Sequence, residues 1–88
     1  MSRYEKLFAR EEGAFVPFIM LSDPTPEDAV EIVSAVVEAG ADAVELGVPF
    51  SDPVADGPAI QGAHVRALAG GATVDKALAQ IRTIRERY

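Results

Sequence analysis

Two carboxylates, Glu45 and Asp56, share one stretch of the chain, ELGVPFSDPVADGP at positions 45–58. Paired carboxylates held apart by a loop suit a reaction that moves two protons at different atoms. A carboxyl that acts as a general acid works best when burial lifts its pKa above the ordinary value of about 4.3. The stretch reads as a strand that runs through a loop with Pro49, Pro53 and Gly57 to the mouth of a helix. Strand side chains alternate between faces, so Ala43, Glu45 and Gly47 share one and Val44, Leu46 and Val48 the other. A glutamate between two small residues leaves room beside it for something other than a side chain. A plainer reading makes Glu45 a partly exposed polar residue and Asp56 a charge favouring the next helix N-terminus. Likewise, Pro49 and Pro53 could simply stiffen a long loop. His64 has no second histidine at ligand spacing and reads as a surface residue, so no metal site is expected. Gly70-Gly71 lacks a glycine-rich strand-to-helix turn and reads as a helix stop, not a phosphate loop.

The elements that must position these residues follow from periodicity. Ser2 with Glu5 fits a capping box, opening a short helix through Arg10 with Leu7 and Phe8 as its anchor. Residues 14–21 form a short apolar run that reads as a buried strand, with Val16, Phe18 and Met20 on one face and Phe15, Ile19 and Leu21 on the other. Pro17 fits poorly within a strand paired on both sides, because proline cannot donate to the ladder. Thr25-Pro26 with acids behind them is a strong helix start. That helix carries Val30, Val33 and Val37 inward, widened by Ala29, Ile32 and Val36, while Glu27, Glu31, Ser34 and Glu38 form its wet face. Gly40 ends it, and residues 42–48 form the second strand. Strand, helix and strand make a right-handed βαβ unit with parallel strands. A helix from Gly57-Pro58 to about Ala69 follows. Thr73 caps another, with Val74, Ala77, Leu78, Ile81 and Ile84 on one face.

With 88 residues the chain accommodates one small domain. A net charge of −6 argues against nucleic acid or an anionic membrane as partner, since both call for clustered Lys and Arg. The arginines near the end alternate with apolar residues and Glu86, as on a solvated face. Without cysteine there is no disulfide framework or thiolate zinc site. No run approaches the ~18 apolar residues of a membrane span, and the start lacks a signal-peptide core. A cytoplasmic location is the default expectation. A two-stranded parallel sheet with helices on one face leaves Val16, Phe18 and Met20 bare, whereas parallel sheets are covered on both faces. Further strands, another copy or a partner must cover it, so a piece of a larger fold is expected.

The 45–58 stretch closely resembles the loop that marks the tryptophan synthase alpha chain family. The resemblance extends to Arg3-Tyr4-Glu5, Leu7-Phe8, residues 13–18, Asp23-Pro24, residues 39–42 and Arg66-Ala67-Leu68. Met20 and Ser22 depart from it, where Thr and Gly are common. The resemblance implies an α/β fold, the N-terminal portion of a (βα)8 TIM barrel with two parallel strands, flanking helices and the barrel not closed. A complete barrel takes roughly 250 residues. It also implies retro-aldol cleavage of indole-3-glycerol phosphate to indole and glyceraldehyde 3-phosphate, a lyase step in tryptophan biosynthesis. Glu45 matches the acid/base that protonates indole C3 and takes the side-chain hydroxyl proton. Asp56 matches the carboxylate that holds, and helps deprotonate, the indole N–H. Phe18 matches a residue lining the indole pocket. Asp52 and Pro53 match the region facing the beta chain, which carries pyridoxal phosphate in a heterotetramer; no cofactor is implied on this chain. Little or no turnover is expected of the 88 residues alone. The competing reading is a non-catalytic α/β module that self-associates or binds a complementary piece. A different βα-barrel lyase or isomerase is disfavoured by the run of matched residues from Glu45 to Pro58.

Overall fold

The computed structural model describes residues 2–50 and 57–88. In chain order it comprises α1 (Arg3–Phe8), β1 (Phe18–Met20), α2 (Pro26–Glu38), β2 (Glu45–Gly47), α3 (Pro58–Ala69) and α4 (Val74–Arg87). β1 and β2 pair in parallel, Phe18 opposite Glu45, Ile19 opposite Leu46 and Met20 opposite Gly47. The crossover is α2, as the βαβ pattern required.

Each helix start follows its sequence signal. Ser2, Thr25 and Thr73 each accept a hydrogen bond from the backbone N–H three residues on, at Glu5, Asp28 and Lys76 respectively. Pro26 and Pro58 occupy the first turns of α2 and α3, where a missing N–H costs nothing. Two helices stop by the same device. Gly40 and Gly71 adopt φ of +107° and +89°. Their N–H groups donate to Val37 and Leu68, and Ala41 and Ala72 donate to Val36 and Ala67. These are the paired bonds of a Schellman motif, which needs the left-handed backbone glycine tolerates.

Several elements are shorter than periodicity suggested. α1 stops at Phe8, and Phe8 is exposed, its ring 4.9 Å from that of Tyr4 rather than anchored in a core. β1 begins only after Pro17, which resolves the difficulty of that proline: it donates nothing, while its carbonyl accepts the Glu45 N–H at 2.9 Å. Ladder-like bonds extend beyond the strand itself, from Asp42 N–H to the Phe15 carbonyl and from Leu21 N–H to the Gly47 carbonyl.

The interior is built where α2 packs on α4 and where α2 and α3 meet β1. Leu21, Ala29, Val33, Ala67 and Ala77 are fully enclosed. The face expected bare is only partly so: Val16 and Phe18 are exposed, but Met20 is buried against Ala63 and Ala67 of α3. Ser34, expected wet, is buried and accepts from Arg87 Nη1 at 2.9 Å. On α4 the inward residues are Ala77 and Gln80, with Ile81 and Ile84 part-buried, while Val74 and Leu78 face outward.

A second knot sits at the strand entrances. Asp42 accepts from Arg10 Nη1 at 2.8 Å and from the Phe15 N–H at 2.7 Å, and Arg10 Nη2 donates to the Gly13 carbonyl. The Phe15 bond, then Arg10, holds the Asp42 carboxyl below the usual carboxylate range. In barrels, this end of the strands serves stability, and the opposite end carries chemistry.

Candidate active site

Glu45 opens β2 and is exposed, with Phe18 directly across the ladder and itself 41% exposed. Partners across a parallel ladder point to the same face, so Phe18, Met20, Glu45 and Gly47 share one surface. Gly47 shapes it. A Cβ there would lie 2.5 Å from Phe18 Cζ and 3.2 Å from Met20 Cε and Sδ. The missing side chain therefore lets the phenyl ring and the thioether lean across β2. The result is an acidic group beside an aromatic ring, and the room expected next to Glu45 at Gly47 is taken up by the Phe18 and Met20 side chains.

Beyond the strands, α3 lies over both exits. Arg66 grips the exit of β1 through two parallel bonds, Nε to Asp23 Oδ1 and Nη2 to Asp23 Oδ2, each 3.0 Å. This fork is the strong geometry for guanidinium and carboxylate, and it raises the Arg66 pKa above its already high value. His64 reaches the exit of β2: its Nδ1 accepts the Phe50 N–H at 3.0 Å. The two rings meet edge-on, with centroids 4.6 Å apart. A shallow hollow of about 280 Å³ lies beside Phe18, Met20, Ile60, Ala63 and Arg66. A larger one, about 600 Å³, lies between α2 and α4, away from Glu45. Its cations are already engaged, Lys76 with the Gly71 carbonyl and Arg87 with Glu31 and Ser34. Among the described residues no group of His, Asp and Glu could hold a metal ion. No helix among them is long and apolar enough to cross a membrane.

The family model described as tryptophan synthase alpha chain matches residues 4–88. The chain belongs to the tryptophan synthase alpha chain family. It is 72% identical to the alpha chain of Corynebacterium aurimucosum and 54% identical to that of Cronobacter sakazakii, with the whole chain aligned in both. It spans about a third of those relatives, 33% and 34% respectively. The alpha subunit of Legionella pneumophila superposes with a TM-score of 0.86 at 44% identity, covering 96% of this chain and 32% of that one. A tryptophan synthase complex from Pyrococcus furiosus gives 0.82 at 36%, covering 88% of this chain and 31% of that one. The fold is thus an N-terminal portion of the alpha-chain barrel, as its open two-stranded sheet and flanking helices require.

Within this alpha-chain portion the structure brings Glu45 and Phe18 together. Asp56, Asp52 and Pro53 lie outside the described residues. His64 is not a surface residue: it is 3% exposed. Its helical phase explains why, since Ala63, His64 and Ala67 form the buried stripe of α3. Three features of the exits had no expected role: the Arg66–Asp23 fork, the His64–Phe50 bond and a pair joining Ser22 to Gln80. Ser22 is buried with φ of +66°, in the left-handed region. Its N–H donates to Gln80 Oε1 and its Oγ accepts from Gln80 Nε2, both at 2.7 Å. The available signal was the serine itself, one of the two departures from the pattern that the family resemblance implied. A left-handed serine in a core needs compensation, and a polar residue on the buried face of α4 supplies it.

Proposed function

We propose that the chain serves as the N-terminal part of an alpha subunit that cleaves indole-3-glycerol phosphate to indole and glyceraldehyde 3-phosphate. What supports this reading is the register pairing of Glu45 with Phe18, whose ring leans over Gly47 on the same face. In this reading Phe18 lines the indole site. Glu45 gives its proton to indole C3 and later accepts the side-chain hydroxyl proton. As that O–H bond breaks, the C3–side-chain bond breaks too, its electron pair returns to the ring and the aldehyde forms. Asp56 takes the indole N–H proton and returns it. Two carboxyl groups at different atoms suit this sequence, because no single group reaches both ends of the ring.

Glu45 is exposed on an open two-stranded sheet, whereas proton transfer to carbon calls for a dry, preorganised site. We therefore assign turnover to the closed barrel. Asp52 and Pro53 face a beta chain, which holds the pyridoxal phosphate, in a cytoplasmic α2β2 assembly; the solved complex of the Pyrococcus furiosus relative supports a partner of this kind.

The test is indole release from indole-3-glycerol phosphate by a complete chain, in which residues 1–88 are followed by the remaining two thirds of the Corynebacterium aurimucosum relative. Release is expected, with a loss of about 10²-fold or more in Glu45→Gln. Equal release by the variant overturns the role of Glu45. The 88 residues alone are expected to release no more indole than their Glu45→Gln variant. Glu45-dependent release from them would instead favour the self-associating reading.

A further inference from the structure

His64 is a polar ring in the wrong place for its type. It sits in an otherwise alanine-lined stripe of α3, nearly all its surface enclosed, and burial of an imidazole requires partners for its nitrogens. The partner at Nδ1 is the backbone of Phe50, a residue whose own situation needs explaining. The β1–β2 ladder ends at Gly47, whose carbonyl takes the Leu21 N–H, and the chain leaves β2 through Val48 and the buried Pro49. Past that point β1 is no longer alongside. The Phe50 N–H takes its acceptor from α3 instead, donating to His64 Nδ1 at 3.0 Å. The ring contact at 4.6 Å, nearly perpendicular, adds a second restraint to the same residue.

Arg66 shows why this contact matters. α3 packs directly on β1, and its Arg66 fork fixes the exit of that strand at Asp23. The Phe50–His64 bond extends the same helix to the exit of the second strand. One helix thereby holds the exits of both strands, and those strands open with Phe18 and Glu45.

We propose that His64 is a positioning residue for the reaction: by accepting the Phe50 N–H it sets the exit of β2, and with it the carboxylate of Glu45. This rests on the reading of Glu45 as the acid/base. The required form of His64 follows from the bond. A nitrogen that accepts an N–H carries a lone pair, so Nδ1 is unprotonated and the ring is the neutral tautomer with its proton on Nε2. The role does not demand a histidine, only an acceptor at the Nδ1 position. Asparagine places its Oδ1 near there, at the same distance along the side chain. Glutamine carries its amide one atom further, toward the position of Nε2. Leucine fills the space and accepts nothing.

That ordering defines the experiment, run in the complete chain described above. His64→Leu is expected to lower kcat about 10-fold, part of the 10²–10⁴ that a well-placed general acid contributes, with KM within about 2-fold because Glu45 moves protons rather than binding substrate. His64→Asn is expected to return kcat to within about 3-fold of the parent, and His64→Gln to remain low. Amide exchange at Phe50, followed by NMR, is expected to quicken about 10-fold or more in His64→Leu and to recover in His64→Asn. Parent kcat in both His64→Leu and His64→Gln overturns the proposal. So does an equal loss in His64→Asn and His64→Leu, which marks a packing role. If His64→Leu fails to fold, the Asn and Gln variants alone decide: equal activity in the two overturns it. If the parent releases no indole, the reading of Glu45 has failed. Phe50 exchange then judges the structural half, and protection unchanged in His64→Leu overturns that as well.

Discussion

Replacing Gln80 by leucine isolates the Ser22–Gln80 pair. Leucine keeps most of the volume, so little cavity forms, and the loss is that of hydrogen bonding. Gln80 is 4% exposed and Ser22 is 1% exposed, so water cannot readily replace what is removed. The Ser22 N–H loses its acceptor at 2.7 Å, an orphaned buried donor worth about 1–3 kcal/mol. The Nε2 bonds to Ser22 Oγ and to the Lys76 carbonyl disappear together, adding about 1 kcal/mol. The expected destabilisation is therefore about 2–4 kcal/mol. Ser22→Gly is the informative companion. It removes the Oγ acceptor at a cost of about 1 kcal/mol but relieves the left-handed backbone at φ +66° by about 1–2 kcal/mol. The net change should lie within about 1 kcal/mol of zero. Urea unfolding of the complete chain and of the two single variants and their double measures all of this. Because the backbone N–H survives in the glycine variant, Gln80→Leu should still cost about 1–3 kcal/mol there. A cost below about 0.5 kcal/mol in both backgrounds would refute the reasoning, since an orphaned buried N–H cannot be that cheap.

Other perturbations test the remaining joints. Gly47→Ala should push the Phe18 ring and Met20 aside, because its Cβ would begin 2.5 Å from Phe18 Cζ. Since Phe18 has open space to swing into, the stability cost should fall at the low end of the ~1–3 kcal/mol typical of overpacking. On the proposed reading, the KM of the complete chain for indole-3-glycerol phosphate should rise instead, and an unchanged KM would count Phe18 out as a pocket residue. Asp42 is held below its ordinary pKa in the fold. Its contribution is thus fully present above the unfolded value of about 3.9 and lost as pH falls through the lower folded value. Asp42→Asn should flatten the acid limb of the stability profile, and an acid limb as steep as the parent's would show that another carboxylate governs it.

Much of this portion was legible locally. Ser2, Thr25 and Thr73 cap through bonds spanning three residues, and Gly40 and Gly71 stop helices through left-handed torsions and bonds within five residues of chain. Such signals depend only on neighbours in the chain, so they survive without tertiary knowledge. The parallel βαβ unit was legible for the same reason: alternation and spacing are local. Three-dimensional packing decided the rest. Whether His64 faces water or Ala-lined interior depends on which side of α3 meets β1, and no period in a stripe of alanines states that. The inward turn of Gln80 depends on Ser22, 58 residues away. The fork between Arg66 and Asp23 spans 43 residues, and the bond from Phe50 to His64 spans 14. Hydrophobic pattern specifies which faces are buried. Polar groups inside those faces are placed by whichever distant donor or acceptor the fold delivers, because a buried polar atom must find a partner and the chain's local order does not name it.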